Sequence, residues 1–261
     1  MLTAADGTGA KVHARMADRA SGPFTCFCCR SQVTLRRGQA KRAHFAHRPP
    51  YNCEYGRGES DEHRRAKEEI YEHLSRLPHV TKLELERDLR EVRPDVSCYI
   101  GAVPVAVEVQ ASNLGVERIA RRTSEYARKG VYVLWLPLLT PGLLADLYNP
   151  RPWERRLHAA YSGRVYYWAG GLKVRPVHFR DYFAKVSGRT HEYRKLSRKV
   201  VPVEGREADL SADFTRCFMA ERRWGGAGQT LPAMRLYVDT QPRWYWEGGV
   251  NWARRLRPRA V

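Results

Sequence analysis

The segment around Gly101-Ala102 constrains the fold of this chain most. Residues 94–100 and Val103–Gln110 read as two strands, and a glycine at the first position of a two-residue II′ turn supplies the positive φ which that turn needs. If the strands pair directly around this turn, Asp95 lies opposite Glu108. The pattern therefore predicts an antiparallel hairpin that places two carboxylates side by side.

The two opposed carboxylates need a counterion. Directly opposed Cβ atoms lie about 4.5–5.5 Å apart, and like charges at that distance are destabilising. A hard divalent cation such as Mg²⁺ neutralises them with oxygen ligands, and Gln110 shares the face of Glu108 because side chains alternate with period two. The alternative is a solvated sheet face whose charge is balanced by Arg93. The pairing alone does not separate the two interpretations.

Flanking segments predict helices on both sides of this hairpin. Ser60 can cap a helix, and three chemically active side chains, Glu59, His63 and Lys67, follow at four-residue spacing. The apolar face of this helix comprises Ala66, Ile70, Leu74 and Leu77. A second helix is predicted over 116–129, with Gly130 as its C′ residue, and an apolar strand over 131–136. Between the first helix and the hairpin, the alternation over 80–89 predicts a further strand.

The cysteines favour a metal site over disulfides. Three of the six cysteines crowd into one four-residue stretch and cannot readily pair with one another. Cys26-x-x-Cys29 has the spacing of a zinc knuckle, and His44, His47 and Cys53 follow in the same small module. Five candidates thus compete for four tetrahedral positions, with Cys28 as a sixth. A region with so little apolar content needs a further source of stability, which a bound structural Zn²⁺ supplies. The alternative is a set of reduced cysteines without metal.

The charge of the chain favours a polyanionic partner. The 261 residues carry 46 Lys+Arg against 28 Asp+Glu, a formal net charge of +18. Nucleic acid is the expected partner because phosphate neutralisation supplies most of non-specific affinity; the alternative is a solvated basic surface. No apolar run approaches the roughly 20 residues that span a bilayer, and residues 1–20 lack the apolar segment of a secretory signal. We therefore expect a cytoplasmic protein with no membrane association.

The chain divides into three predicted regions: a Cys/His module over 1–57, a core over 58–137 and a basic, aromatic-rich region over 138–261. In the third region, residues 166–179 read as a hairpin and 189–199 as a basic stretch. Aromatic residues beside arginine suit single-stranded nucleic acid, whereas burial in a core is the commoner fate of aromatics. We assign Trp168 to a core and leave open Trp224, Trp244, Trp246 and Trp252.

The motifs together resemble known families. Arg93-Pro94-Asp95-Val96, the hairpin, and Glu108-Val109-Gln110-Ala111-Ser112 resemble the PD-(D/E)XK nuclease core, with Gln in place of the usual Lys. More narrowly, residues 24–137 resemble the competence-protein CoiA-like family, although Phe27 stands where that family usually has Pro. The further motifs that carry the resemblance are Cys26-x-x-Cys29, His44-Phe45-Ala46-His47, Cys53, Glu59-Ser60-x-x-His63-x-x-x-Lys67, and Arg122-x-x-x-Tyr126 followed by Trp135.

The resemblance implies a fold and a reaction. The fold would be α/β (α+β): a restriction-endonuclease-like core with an N-terminal zinc module and a C-terminal extension. Asp95 and Glu108 would hold Mg²⁺ or Mn²⁺ with the carbonyl of Val109, and Glu59 would complete the site. The metal would polarise the scissile phosphate of DNA. Gln110 would orient the attacking water without supplying positive charge, and Lys67 is the nearest candidate for that charge unless it is an ordinary surface lysine.

Further residues have two interpretations each. His63 is either a ligand, base or phosphate contact, or a half-buried helix histidine without chemistry. Arg93 and Ser112 are candidate nucleic-acid contacts, as are Arg122 and Tyr126, unless Tyr126 is core and Arg122 pairs with a site carboxylate. The resemblance implies DNA handling in competence or recombination, with recombination proteins as possible partners. One rival function is a catalytically inactive DNA-binding protein, because Gln110 replaces the usual lysine of the nuclease motif. The other is an RNA-binding module stabilised by zinc.

Overall fold

The computed structural model describes residues 1–237 except 40, 51–52, 54–58, 112, 146–147, 162, 185–192, 203–207, 210–217, 223–224, 227–228 and 231–233. The helices are α1 (Asp61–Leu74), α2 (Val116–Arg128) and α3 (Pro152–Ala160). The strands are β1 (Thr3–Ala5), β2 (Lys11–His13), β3 (Phe24–Thr25), β4 (Gln32–Arg36), β5 (His44–His47), β6 (Val80–Leu85), β7 (Val96–Ile100), β8 (Val103–Gln110), β9 (Tyr132–Pro137), β10 (Val165–Gly170), β11 (Lys173–Ala184), β12 (Tyr193–Pro202), β13 (Ala208–Asp209), β14 (Phe218–Arg222), β15 (Gly225–Gly226), β16 (Gln229–Thr230) and β17 (Met234–Tyr237). The predicted nucleic-acid contact Ser112 lies outside the described residues. So do the start of the basic stretch at Arg189 and the four tryptophans left open, Trp224, Trp244, Trp246 and Trp252.

The N-terminal module is a small sheet in the order β2-β1-β3-β4-β5, with antiparallel neighbours. Its buried cluster is modest and includes Phe24 and Phe45, whose ring centroids lie 5.0 Å apart. Cys26 and Cys53 belong to the same cluster. So few apolar side chains supply little burial energy, which agrees with the expectation of a module stabilised by metal.

The main sheet has the order β14-β17-β9-β8-β7-β6 among the described residues. Strands β7 and β8 pair antiparallel with Ile100 opposite Val103 and Val96 opposite Val107, so the predicted hairpin register is confirmed. Gly101 has φ +59°, the positive value that the turn requires. Strand β9 then runs parallel to β8, as a strand returning through a crossover helix does.

Helix α1 begins where Ser60 predicts but ends at Leu74, so Leu77 lies beyond it, and α2 begins and ends close to the predicted positions. The side chain of Ser60 accepts a hydrogen bond from the backbone N–H of His63, so it caps α1. The predicted apolar face of α1 is buried at Ala66, Ile70 and Leu74. Helix α2 stops at Arg128, and Gly130 follows with φ +71°.

The hydrophobic core of the main sheet continues beyond residue 137. Trp153, Tyr166 and Trp168 belong to the same buried cluster as the hairpin, so the assignment of Trp168 to a core is confirmed. The predicted hairpin over 166–179 is also present, as the antiparallel pair β10 and β11. Leu2 reaches this cluster from the other end of the chain. No helix in the described part of the chain is long and apolar enough to cross a membrane.

Candidate nuclease-like site and zinc-type cluster

Three predicted site residues converge where α1 begins and β7 begins. Ligand atoms of Glu59, His63 and Asp95 all lie within 4.8 Å of one another. Glu59 immediately precedes the cap residue Ser60, His63 lies in the first turn of α1, and Asp95 is the residue before β7. The N-terminal end of the helix and the entrance to the hairpin therefore meet at one acidic site.

Asp95 is held in place from three directions. Its Oδ2 accepts a hydrogen bond of 2.9 Å from the backbone N–H of Val109, and Nε2 of His63 lies 3.2 Å from the same oxygen. Nζ of Lys67 lies 3.5 Å from Oδ1. Burial alone would raise the pKa of Asp95, but the attraction of His63 and Lys67 outweighs it and lowers the pKa. Asp95 is therefore an anion in the folded protein.

Lys67 lies at the centre of the carboxylates, and the alternative of a surface lysine is wrong. The residue is 2% exposed, and its Nζ contacts carboxylate oxygens of Glu59 and, at 2.6 Å, Glu86. Burial would lower the pKa of Lys67, but Glu59 and Glu86 raise it, so the side chain carries a charge inside the protein. The same attraction outweighs burial at Glu59 and lowers its pKa.

Glu86 is the residue that the sequence motifs missed. Its carboxylate accepts hydrogen bonds from the backbone N–H groups of Leu2 and Thr3, at 2.9 and 3.0 Å. Arg93 contributes a further bond from Nη2, at 2.6 Å. Glu86 follows the last residue of β6 and has φ +49°, so the backbone is no longer extended there. The side chain of Glu86 therefore points into the protein, whereas the alternation of β6 placed Glu84 on the surface. Alternation alone gives no signal for this inward turn.

Arg93 is a structural partner in the interior. Arg93 is 6% exposed and is paired with Glu86, and its predicted contact with nucleic acid stays a prediction. Its pKa is raised because the attraction of Glu86 outweighs burial. The motif Arg93-x-Asp95 thus combines one residue that supports the site with one that belongs to it.

Glu108 faces a different set of partners from Asp95. Nη2 of Arg122 lies 2.5 Å from its Oε1, and the hydroxyl of Tyr126 donates to the same oxygen. Burial raises the pKa of Glu108 to about 7, although Arg122 opposes the shift. Within the described residues, Glu108 is not part of the group formed by Glu59, His63 and Asp95.

The paired interpretation of Arg122 and Tyr126 is therefore the one the structure supports. Tyr126 is fully buried, and Arg122 pairs with a site carboxylate. The predicted contact of Tyr126 with a base stays a prediction. The guanidinium of Arg122 lies 5.5 Å from the ring centroid of Trp135, so these two residues of one motif are in contact. Gln110 is also buried, at the end of β8 beside Pro137.

The donor set of the acidic site suits a divalent cation. Two ionised carboxylates and one imidazole are ligands that Mn²⁺ accepts, and the carboxylates alone suit Mg²⁺. The competing interpretation is a structural ion-pair cluster in which Lys67 neutralises Glu59 and Asp95. Both interpretations involve the same side chains. They differ in whether these side chains bind a divalent cation when one is added.

A second cluster in the N-terminal module has the composition of a zinc site. Cys26, Cys29, His47 and Cys53 have ligand atoms within 4.8 Å of one another. Sγ of Cys26 lies 3.8 Å from Sγ of Cys53, and Sγ of Cys29 lies 3.2 Å from Nε2 of His47. Three thiols and one imidazole form a four-ligand set typical of structural Zn²⁺.

His44 and Cys28 are not part of the zinc-type cluster formed by the described residues. His44 and His47 are three residues apart in β5, so they point to opposite faces of the strand. Nδ1 of His44 instead lies 2.8 Å from the carbonyl oxygen of Arg42. A strand assignment for 44–47 is the signal that would have separated the two histidines.

The structure joins a zinc-type cluster to an α/β core with an acidic, lysine-containing site, and a comparison with known families names a nuclease-like domain over this core. Two family models match the chain in adjacent segments: the competence protein CoiA, N-terminal domain over residues 9–56, and the competence protein CoiA, nuclease-like domain over residues 59–138. Over these residues the chain is similar to the CoiA family, as the motifs predicted. Searches of characterised proteins and of solved structures returned no significant match.

Proposed function

We propose that this chain is a divalent-metal-dependent nuclease that acts on DNA in competence or recombination, on a PD-(D/E)XK-type core. The observation that carries the proposal is the convergence of Glu59, His63 and Asp95 beside the charged, buried Lys67. The net charge of +18 supports a nucleic-acid partner. A cytoplasmic location and contact with recombination proteins are part of this proposal.

The residues of the acidic site would have different roles in cleavage. Glu59, Asp95 and His63 would hold Mn²⁺ or Mg²⁺, which when bound polarises a phosphodiester and lowers the pKa of a coordinated water. Lys67 places a fixed positive charge 3.5 Å from Asp95, where it can stabilise the negative charge that develops on a phosphoryl oxygen. Gln110, which replaces the usual lysine, orients water through its amide.

Glu108 supports the cation site indirectly in the conformation described. Its partners Arg122 and Tyr126 occupy Oε1, so direct ligation of the metal by Glu108 requires that these bonds rearrange. The backbone still connects the two carboxylates, because the residue after Glu108 donates its N–H to Asp95. We propose that Glu108 joins the cation site only when metal and substrate are present.

A DNA-binding protein without catalysis is the second candidate. Two observations favour it: Gln110 replaces the usual lysine, and Glu108 is held by Arg122. The two functions differ in cleavage but not in binding.

Cleavage of single-stranded DNA, duplex DNA and RNA, each with Mg²⁺, Mn²⁺ or EDTA, tests the proposal. We expect the protein to cleave at least one DNA substrate when Mg²⁺ or Mn²⁺ is present. We expect it to cleave no substrate in EDTA. Gln110→Lys should retain or raise the rate, since it restores the usual residue. Binding of DNA with no cleavage under any metal condition would support the second candidate and overturn the first. Cleavage of RNA alone would overturn the DNA assignment.

A further inference from the structure

A basic pocket lies between the N-terminal module and the start of α1. Its volume is about 700 Å³, and it is lined by residues 35–39, by Arg19 and Lys41, and by Glu59 and Arg64. Glu59 belongs both to this lining and to the acidic site. The pocket therefore opens directly beside the site at which we place cleavage.

The charge of this pocket is strongly one-sided. Among its described lining residues, five carry a guanidinium or ammonium group and one carries a carboxylate. Arg19, Arg36 and Lys41 are exposed around it. Guanidinium groups match phosphate oxygens with paired hydrogen bonds, and an ammonium group adds a point charge.

Arg64 provides a second, independent observation. The residue is 5% exposed and lines the pocket. Its Nη1 donates to the carbonyl oxygen of Glu59 at 2.7 Å, and its Nη2 lies 3.3 Å from Asp61. Its Nε–H is buried and makes no hydrogen bond within the described part of the chain. A buried donor without an acceptor is costly unless a ligand satisfies it.

His44 lies among the positive charges of the pocket. It lies in the lining, opposite Arg36 in the pairing of β4 and β5. Burial first, and then the positive charges of Arg64 and Arg36, lower the pKa of His44. A residue that the zinc motif singled out thus belongs to the basic pocket.

We infer that this pocket binds the sugar-phosphate backbone of a nucleic-acid strand and leads it to the acidic site. The inference rests on the proposed function for the choice of ligand and adds the surface that holds the strand. Arg37 has a different task, since its Nη2 donates to the carbonyl oxygens of Ala14, Arg15 and Ala17 at 2.9 Å and so fixes the module. The other exposed cations of the lining, Arg19, Arg36 and Lys41, are the groups available to phosphate.

Binding measured in EDTA separates this surface from catalysis. The probe is a fluorescently labelled oligodeoxythymidine, with anisotropy recorded over a salt series. The test variant combines Arg19→Ala, Arg36→Ala and Lys41→Ala. The matched control combines Arg76→Ala, Lys82→Ala and Arg90→Ala, which removes the same charge from exposed positions outside the pocket.

We expect the test variant to bind about 10–100-fold more weakly at roughly 0.1 M salt, with a salt slope smaller by about 2, because each single-strand phosphate contact contributes about 0.7 to the slope. The control should change the dissociation constant by less than about threefold. Equal losses in both variants would overturn the inference. If the triple variant does not fold, Lys41→Glu alone should weaken binding several-fold, and unchanged binding would overturn the inference.

The failure of this inference is distinguishable from failure of the proposed nuclease. If the parent protein cleaves DNA and the pocket variant binds and cleaves like the control, the pocket assignment fails and the nuclease stands. If binding depends on the pocket but the parent never cleaves, the pocket assignment stands and the nuclease fails. Absence of any binding by the parent would overturn the pocket assignment.

Discussion

Nζ of Lys67 lies 2.6 Å from Oε1 of Glu86, in the interior of the protein. Glu86 in turn accepts hydrogen bonds from Leu2, Thr3 and Arg93. This one carboxylate therefore contacts three parts of the protein: the beginning of the chain, the loop before the hairpin and the central lysine of the acidic site. The geometry of that site depends on a residue outside every motif.

Glu86→Gln should destabilise the protein by about 3–5 kcal/mol, because it leaves Lys67 and Arg93 buried without their shared counterion. Chemical denaturation at neutral pH measures the free energy of unfolding. Glu84→Gln is the matched control, since its side chain is 39% exposed, and it should cost less than about 1 kcal/mol. Equal effects of the two substitutions would contradict the central position of Glu86.

The stability of the parent should fall steeply in acid. Burial would raise the pKa of Glu86, but Lys67 and Arg93 lower it well below its usual value of 4.5. The folded state therefore binds fewer protons than the unfolded state, so the stabilisation is complete above pH 4.5 and is lost as the pH falls toward the folded pKa. Denaturation at a series of pH values should show a weaker acid dependence in Glu86→Gln. An identical pH profile would contradict the assignment.

Lys67→Met should have two effects that a surface lysine would not show. It should cost about 3–5 kcal/mol, because three carboxylates lose a buried cation. It should also increase the rise in Tm that Mn²⁺ produces, since a bound cation can replace the lost charge. A variant as stable as the parent, with the same response to Mn²⁺, would show that Lys67 does not hold the cluster together.

Tyr126→Phe separates a core residue from a nucleic-acid contact. We expect a loss of stability of about 1.5–3 kcal/mol, because the hydroxyl donates to the carboxylate of Glu108. Affinity for an oligonucleotide should remain unchanged, since the ring is fully buried. A large loss of affinity with unchanged stability would favour the base-contact interpretation.

The zinc-type cluster can be tested with two matched pairs of variants. Cys29→Ser and His47→Ala each remove a member of the four-ligand set, whereas Cys28→Ser and His44→Ala remove neighbours outside it. Elemental analysis of protein purified without added metal should find about one Zn²⁺ per parent chain. The first pair should lose that metal and the second should retain it. A folded parent with no metal would contradict the site.

Local rules predicted the backbone of the core well. The hairpin register followed from one glycine and from period-two alternation, the start of α1 followed from Ser60, and the end of α2 followed from Gly130. These features depend on residues close in sequence, for which capping and turn chemistry are sufficient. The nuclease-like assignment followed from the order of motifs.

Side-chain partners were harder to predict, because they depend on elements distant in sequence. Asp95 and Glu108 were correctly placed near the hairpin entrance, but their separate partners come from α1 and from α2. Neither helix position is set by the strand pattern. The inward turn of Glu86 likewise depends on Lys67 and on the first strand, which the alternation of β6 does not reveal.

Metal-dependent cleavage by Asp95→Asn is the most direct test of the acidic site. The substitution keeps the shape of the side chain but removes the anion that His63, Lys67 and the Val109 N–H surround. Asp88→Asn, at an exposed carboxylate outside the site, is the control. With Mn²⁺ and labelled DNA, we expect the parent and the control to cleave at similar rates, and Asp95→Asn to lose at least about 100-fold in rate while it keeps its fold. Cleavage by Asp95→Asn at the parental rate would contradict the account.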